Sequence, residues 1–363
     1  MTTRREFLAL TTAALAAQAA GLQAQIEAAA KPLDILFLGG TGFLGPHQIN
    51  HALARGHRVT MFNRGNKSGM YGDAVEELTG DRDSRVGDGL AALAGDRRWD
   101  VVVDNSGYIP RHVRDSAELL KDRCGRYIYI STVAVYDFDA ANVFPEDGPL
   151  AAAPDPSVEE VNGETYGPLK AECDRVAREI LGDRCTVVRP TYVVGPGDHT
   201  DRFTYWVDRV NRGGDVLAPG GPELEAQWID ARDLCPWVVT LAENDTPGIF
   251  NAAGPASSVN RDGLMWGLRA LTDEPVTFYW PDLDLLEELK ISPPMMNPEQ
   301  HSYRFENGAS MAAGLHYRSL ADTATATLDW WQSQSEERRA NPRRWPSSES
   351  ERAAIERIRR SEG

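Results

Sequence analysis

Leu33-Asp34-Ile35-Leu36-Phe37-Leu38-Gly39-Gly40-Thr41-Gly42-Phe43-Leu44-Gly45 is the stretch on which the fold turns. A short apolar run passes at once into glycines, which reads as a buried parallel strand feeding a helix. Gly39, Gly42 and Gly45 stand at G-x-x-G-x-x-G spacing, with Thr41, Phe43 and Leu44 in the loop between them. A tight turn needs the first glycine. Close approach of backbone to a pyrophosphate needs the second, and packing of helix against strand needs the third. The helix start offers free N–H groups and the positive end of its dipole to an anion.

Outward from this loop, residues 46–55 read as a helix and His57-Arg58-Val59-Thr60-Met61-Phe62 as a second strand. Asp100–Asp104, Tyr127–Ile130 and Thr186–Arg189 are further strands, the last cut off by Pro190. Helical patterns at 111–122 and 166–181 lie between them. The alternation predicts an α/β class, with a Rossmann-type doubly wound parallel sheet over residues 31–190. Beyond 190 the rhythm is irregular. Residues 191–335 are expected to form a smaller mixed α/β substrate lobe, with 225–255 partly returning to the first sheet through Gln227–Asp230 and Gly248–Asn251. Residues 336–363 read as a charged C-terminal tail with no evident core face.

The 363 residues carry 38 Lys and Arg against 54 Asp and Glu, a net charge of −16. That balance argues against nucleic acid or an anionic membrane as main partner and leaves a small-molecule substrate. Only five residues are Lys, so each is informative. The four cysteines exclude a disulfide scaffold, although Cys124 and Cys185 precede neighbouring strands and could pair if geometry allowed. His47 and His51 have the i, i+4 spacing of a helical metal pair but no Glu between them, so no metal is expected. At the amino terminus, Thr3-Arg4-Arg5-Glu6-Phe7-Leu8 precedes an uncharged, Ala-rich run through residue 26. This looks like a twin-arginine signal over residues 1–30. Its polar interruptions argue against stable membrane insertion. The expected location is therefore periplasmic or exported through the twin-arginine machinery, or cytoplasmic if the signal is unused.

Tyr166-Gly167-Pro168-Leu169-Lys170 sets Tyr and Lys on one helix face. A phenol has a pKa of about 10, and a nearby ammonium favours its ionised form. Such a Tyr can exchange a proton with a substrate hydroxyl or carbonyl while a nicotinamide exchanges hydride. At the end of the second strand, where an acid usually holds the ribose of NAD, stand Asn63 and Arg64. An Arg there can hold a 2′-phosphate, so NADP is preferred over NAD.

With these motifs the chain resembles the extended short-chain dehydrogenase/reductase superfamily, its NAD(P)-dependent epimerase/dehydratase group. The segments Gly39–Gly45, Phe62–Gly65, Gly80-Asp81-Arg82 and Arg189–Gly197 look most like an atypical branch that includes the chloroplast stem-loop-binding proteins. The resemblance implies Thr132, Tyr166 and Lys170 as catalytic triad. It also implies Asp81 at the adenine, with Arg82 beside it, Asn105 and Ser106 at the nicotinamide end, and Thr132 and Tyr192 against substrate. Val133-Ala134 follow the Thr where sugar-nucleotide dehydratases carry Asp-Glu, and Ala226 stands where an Arg often grips a diphosphate. The expected activity is an epimerase or oxidoreductase on a carbohydrate-like hydroxy/keto substrate. The alternatives are an NADPH-dependent reductase of a small carbonyl, or a non-catalytic nucleotide- or RNA-binding relative. A homodimer is left open.

Overall fold

The computed structural model describes residues 26–296, 302–343 and 345–362. The twin-arginine stretch lies outside the described residues. Of the segment assigned to the leader, Ala29 N donates to Arg55 O at 2.9 Å and Glu27 O accepts from Arg55 Nη1 at 2.5 Å, so residues 27–29 lie against the domain.

Thirteen strands are described. They are β1 Asp34–Leu38, β2 Arg58–Asn63, β3 Val75–Thr79, β4 Trp99–Asp104, β5 Cys124–Ile130, β6 Val143–Phe144, β7 Cys185–Pro190, β8 Tyr192–Val194, β9 Gly214–Leu217, β10 Trp228–Asp230, β11 Gly248–Ala252, β12 Val276–Tyr279 and β13 Arg304–Phe305. Seven form one sheet in the order β11-β7-β5-β4-β1-β2-β3, every pair parallel. Both faces of β1 are covered, which is why its sequence is continuously apolar rather than alternating. Ile35 and Phe37 join a core with helices Leu44–Ala54 and Ala231–Glu243, while Leu36 and Leu38 join one with Pro110–Leu120 and Tyr166–Leu181. Each fully buried side chain of this kind is worth roughly 1.5–3 kcal/mol.

The chain leaves β1 toward β2 and β3 on one side, then returns to build β4, β5, β7 and β11 on the other. The strand order therefore reverses between β1 and β4, the place where such sheets open a crevice. In register, Leu38 lies opposite both Phe62 and Asp104. The loops beginning at Gly39, Asn63 and Asn105 thus leave the sheet at one shared edge.

Several elements depart from expectation. Strand β3 is unheralded because Glu76 and Glu77 sit on an edge, where charge is tolerated and blunts further pairing. Of the segment 225–255, β11 does return to the main sheet, but β10 pairs with β8 in a separate two-stranded sheet. The charged tail has a core face after all: helix Ser348–Glu362 buries Ala354, Ile355 and Ile358 against Leu217, Leu286 and Ile291. Glu351, on the same face, takes the Arg209 guanidinium at 2.8 and 2.9 Å. All four cysteines are buried free thiols. Cys185 is in register with Tyr127, three positions beyond Cys124 along β5, a displacement of roughly 10 Å at the usual strand rise. A disulfide cannot span it.

Candidate functional site

A cleft of about 1250 Å³ opens over the reversal point, larger than the roughly 300–1,000 Å³ of a single small-molecule pocket. The glycine loop forms its floor. Gly39 has φ +85°, a left-handed conformation that a Cβ would resist, and that Cβ would also meet Ser106 Cβ at 2.9 Å. Nothing lies within 4 Å of a Cβ at Gly42, which faces open space. A Cβ at Gly45 would meet the Gly40 carbonyl oxygen at 2.2 Å, so helix and loop touch backbone to backbone there. Gly39 thus makes the turn, Gly42 leaves space open, and Gly45 packs the helix start on the loop backbone at Gly40 rather than on the strand. Gly40 is a fourth, unforeseen one: a Cβ there would meet Met61 Sδ at 2.4 Å.

Every residue assigned to the cofactor side lines this cleft, but their bonds differ. Asn105 Nδ2 donates to Gly39 O at 3.1 Å and to Gln48 Oε1 at 2.6 Å, holding the loop. Ser106 Oγ donates to Leu38 O at 3.1 Å. Asn63 Oδ1 accepts from Gly65 N at 2.6 Å and fixes the turn that carries Arg64. Arg64 itself is exposed and makes no ion pair among the described residues. Asp81 Oδ1 accepts from Asp83 N at 2.8 Å. Arg82 is largely buried and both its terminal nitrogens are engaged, donating to both Asp104 oxygens at 2.5 and 2.9 Å and to Ser106 Oγ, Ser116 Oγ and His112 O, while its Nε has no partner. It braces the loop from beneath. Although burial opposes ionisation of Asp104, the Arg82 charge holds that carboxyl below its usual value.

The buried polar atoms Asn105 Oδ1 and Asn63 Nδ2 have no hydrogen-bond partner. Buried orphan groups are costly, and on the wall of a cleft they suit a polar ligand. Together with the open space over Gly42, they fit a dinucleotide.

Thr132, Tyr166 and Lys170 all line this cleft. Thr132 lies two residues past β5 and caps a 3₁₀ turn, accepting from Ala134 N at 3.2 Å. Its hydroxyl is among the groups that ease ionisation of the Tyr166 phenol. Tyr166 opens helix Tyr166–Leu181, and Gly167 lets that helix start close against the 3₁₀ turn after β5, since a Cβ there would meet Ala134 O at 2.3 Å. Lys170 is buried one turn on. Its Nζ donates to Gly107 O and Ile130 O, both at 2.8 Å, and lies 4.2 Å from the Tyr129 ring centroid and 5.2 Å from that of Tyr108. An ammonium has three protons, so one N–H remains for a ligand. Burial lowers the Lys170 pKa. Burial also raises the Tyr166 pKa, and the groups that ease it are Thr132 and the Arg202 charge. The sequence pattern points for that electrostatic task to Lys170, with the positive charge of an oxidised nicotinamide adding to it.

Tyr192, partly exposed, stands on the far wall with Arg202 over its ring at 4.8 Å. Phe138, Tyr303 and Phe305 cover the end of the cleft, with Phe138 and Tyr303 centroids 4.6 Å apart. Arg202 and this aromatic group are not legible from spacing; Phe138 and Tyr303 come from segments more than a hundred residues apart. His47 Nε2 lies 3.1 Å from Pro196 O, and no group of three or more His, Cys, Asp or Glu that could hold a metal occurs among the described residues.

The sequence profile of the NAD dependent epimerase/dehydratase family matches residues 35–253. The chain belongs to that family of enzymes. The family match runs from β1 to the residue after β11, so it spans the whole main sheet and the Thr132, Tyr166 and Lys170 positions. The chloroplast stem-loop binding protein of 41 kDa b of Arabidopsis thaliana is 27% identical over 248 residues, 63% of this chain and 61% of that relative. The chain therefore aligns with about three-fifths of that relative's length. Among solved structures, UDP-glucuronic acid 4-epimerase of Bacillus cereus, in complex with NAD, has a TM-score of 0.59 over 82% of this chain and 96% of its own, at 17% identity. The human epimerase family protein SDR39U1 with NADPH has a TM-score of 0.56 over 83% and 99%, at 20% identity. These two show the same fold. No described helix is long and apolar enough to cross a membrane.

Proposed function

We propose that the protein is an NAD(P)-dependent epimerase or oxidoreductase acting on a carbohydrate-like hydroxy/keto substrate. The observation that carries this reading is the meeting of Thr132, Tyr166 and Lys170 beside a glycine loop with open space over Gly42. Gly39–Gly45 would hold the pyrophosphate, Lys170 and Asn105 the nicotinamide half, and Asp81 the adenine end. Arg64, a solvent-facing cation at the end of β2, favours NADP over NAD by matching a 2′-phosphate. The bound dinucleotide supplies hydride exchange and, when oxidised, a positive charge.

Tyr166 then works as the proton exchanger. Thr132 donates to the reacting oxygen and steadies the phenol. Lys170, fixed by two carbonyls, keeps its charge and its remaining N–H in one place. Val133 and Ala134 offer no second acid, which disfavours elimination of water and favours epimerisation. The twin-arginine segment is read as an export signal, and export suits a cofactor that is carried bound and recycled within each turnover. Protein purified as the full chain, denatured, and analysed by mass spectrometry for released nicotinamide nucleotide tests the reading. Recovery of NADP, or saturable uptake of added NADPH, supports it. A chain that carries no nucleotide and takes none up refutes it.

A further inference from the structure

Arg202 opens helix Arg202–Asn211 on the wall opposite the glycine loop. In this acidic chain most buried or half-buried arginines are neutralised: Arg82 by Asp104, Arg189 by Asp174, Arg209 by Glu351, Arg111 by Asp83 and Glu159. Arg202 is half-buried and makes no ion pair among the described residues. Its Nε donates to Thr200 Oγ1 at 3.0 Å, and its guanidinium lies over the Tyr192 ring. Those contacts fix the plane of the guanidinium and leave both terminal nitrogens without a described partner. The carboxylates on the same wall make no ion pair with it: Asp198 Oδ1 accepts from Thr200 and Glu225 Oε1 from Ser258, and each leaves its other oxygen without a partner.

The placement is enforced from outside the site. Asp201, immediately before Arg202, is held at φ +58°. Its carboxylate accepts from Arg338 Nη2 at 2.5 Å and from Arg343 N at 2.8 Å, and its carbonyl from Trp345 Nε1 at 3.0 Å. Arg338, Arg343 and Trp345 thus clamp the turn that aims Arg202. Burying part of a guanidinium without a countercharge costs free energy, so a clamp that maintains it points to an external anion. Arg202 and Tyr166 line the same cleft, so an anion held by the one sits in the cavity that holds the proton exchanger.

We infer that Arg202, stacked on Tyr192, binds an oxyanion of the substrate, so that the substrate class is a sugar acid or sugar phosphate rather than a neutral sugar. A planar guanidinium with two open nitrogens suits the bidentate geometry of carboxylate and phosphate alike. This inference rests on the reading of the cleft as a substrate site.

Calorimetric titration of the full chain with D-glucuronate, D-glucose 6-phosphate and D-glucose tests it, and the first two arms separate carboxylate from phosphate. The expected result is binding of at least one anionic sugar about tenfold or more tighter than glucose, as charge-assisted hydrogen bonds imply. Arg202→Gln removes that preference, and Arg202→Lys keeps part of it. NADPH uptake by each variant reports whether the fold and the cofactor half are intact. Equal affinity for all three sugars, binding of none, or a preference that survives Arg202→Gln overturns the inference. Loss of NADPH uptake by the unaltered chain overturns the cofactor reading instead, because the sugar preference is measured without nucleotide.

Discussion

On the cofactor side of the cleft, the loop Gly39–Gly45 is held by backbone contacts and by Asn105 and Ser106 at the end of an adjacent strand. On the substrate side, Phe138, Tyr192, Arg202, Gln227, Met296 and Phe305 come from six separate segments. The first wall is set by where chain can pass close to chain, so it breaks when a methyl group is added. The second is set by side-chain charge and shape, so it changes when a group is removed.

The largest stability effect is expected beneath the first wall. Arg82→Met leaves the Asp104 carboxylate buried without its cation, at a cost of about 3–5 kcal/mol in urea denaturation. A loss under about 1 kcal/mol would show that the brace is dispensable. Next comes a paired test of the loop. Gly45→Ala forces a methyl group onto the Gly40 carbonyl and should cost about 1–3 kcal/mol, whereas Gly42→Ala should leave stability within about 0.5 kcal/mol and weaken nucleotide binding. Equal destabilisation by the two would break the division of labour among the glycines. Arg64→Ala should lower NADPH affinity about tenfold while leaving NADH affinity and melting temperature unchanged. An unchanged NADPH affinity would remove the argument for NADP.

A smaller effect is expected away from the cleft. Burial pushes the Glu243 carboxyl up, but hydrogen bonds from Arg55 and His57, at 2.8 Å each from Oε1, hold it below the usual 4.5. A depressed carboxylate stabilises the fold above its unfolded pKa and loses that contribution as pH falls through the folded value. Glu243→Gln should therefore flatten the acid limb of the stability curve below about pH 4.5 and leave cofactor uptake unaltered. A matching loss of cofactor uptake would mean that the two helices packed on β1 do not insulate the site.

The same contrast decides what was legible in sequence. The glycine loop, the parallel strands and the Tyr166–Lys170 face follow from local spacing, because each is a backbone or single-helix property. Strand β3 escaped notice because Val75-Glu76-Glu77-Leu78-Thr79 carries its acids on a sheet edge. The core face of helix Ser348–Glu362 is three apolar residues among many charges, and Glu351 on that face is buried only because Arg209 meets it there. Arg202 could not be found from spacing. Nothing in Asp198-His199-Thr200-Asp201-Arg202 says that Asp201 will be spent on Arg338 and Arg343 and leave the arginine unpaired.

The central claim is that Tyr166 exchanges a proton while a nicotinamide held over the glycine loop exchanges hydride. Its direct test follows the absorbance of reduced nicotinamide while the NADP-loaded full chain is offered a panel of hydroxy-sugars and sugar acids, beside Tyr166→Phe treated identically. Loss of the hydroxyl should lower the rate about 10²–10⁴-fold with nucleotide uptake unchanged. A Tyr166→Phe protein that reduces nicotinamide as fast as the native chain would contradict the account.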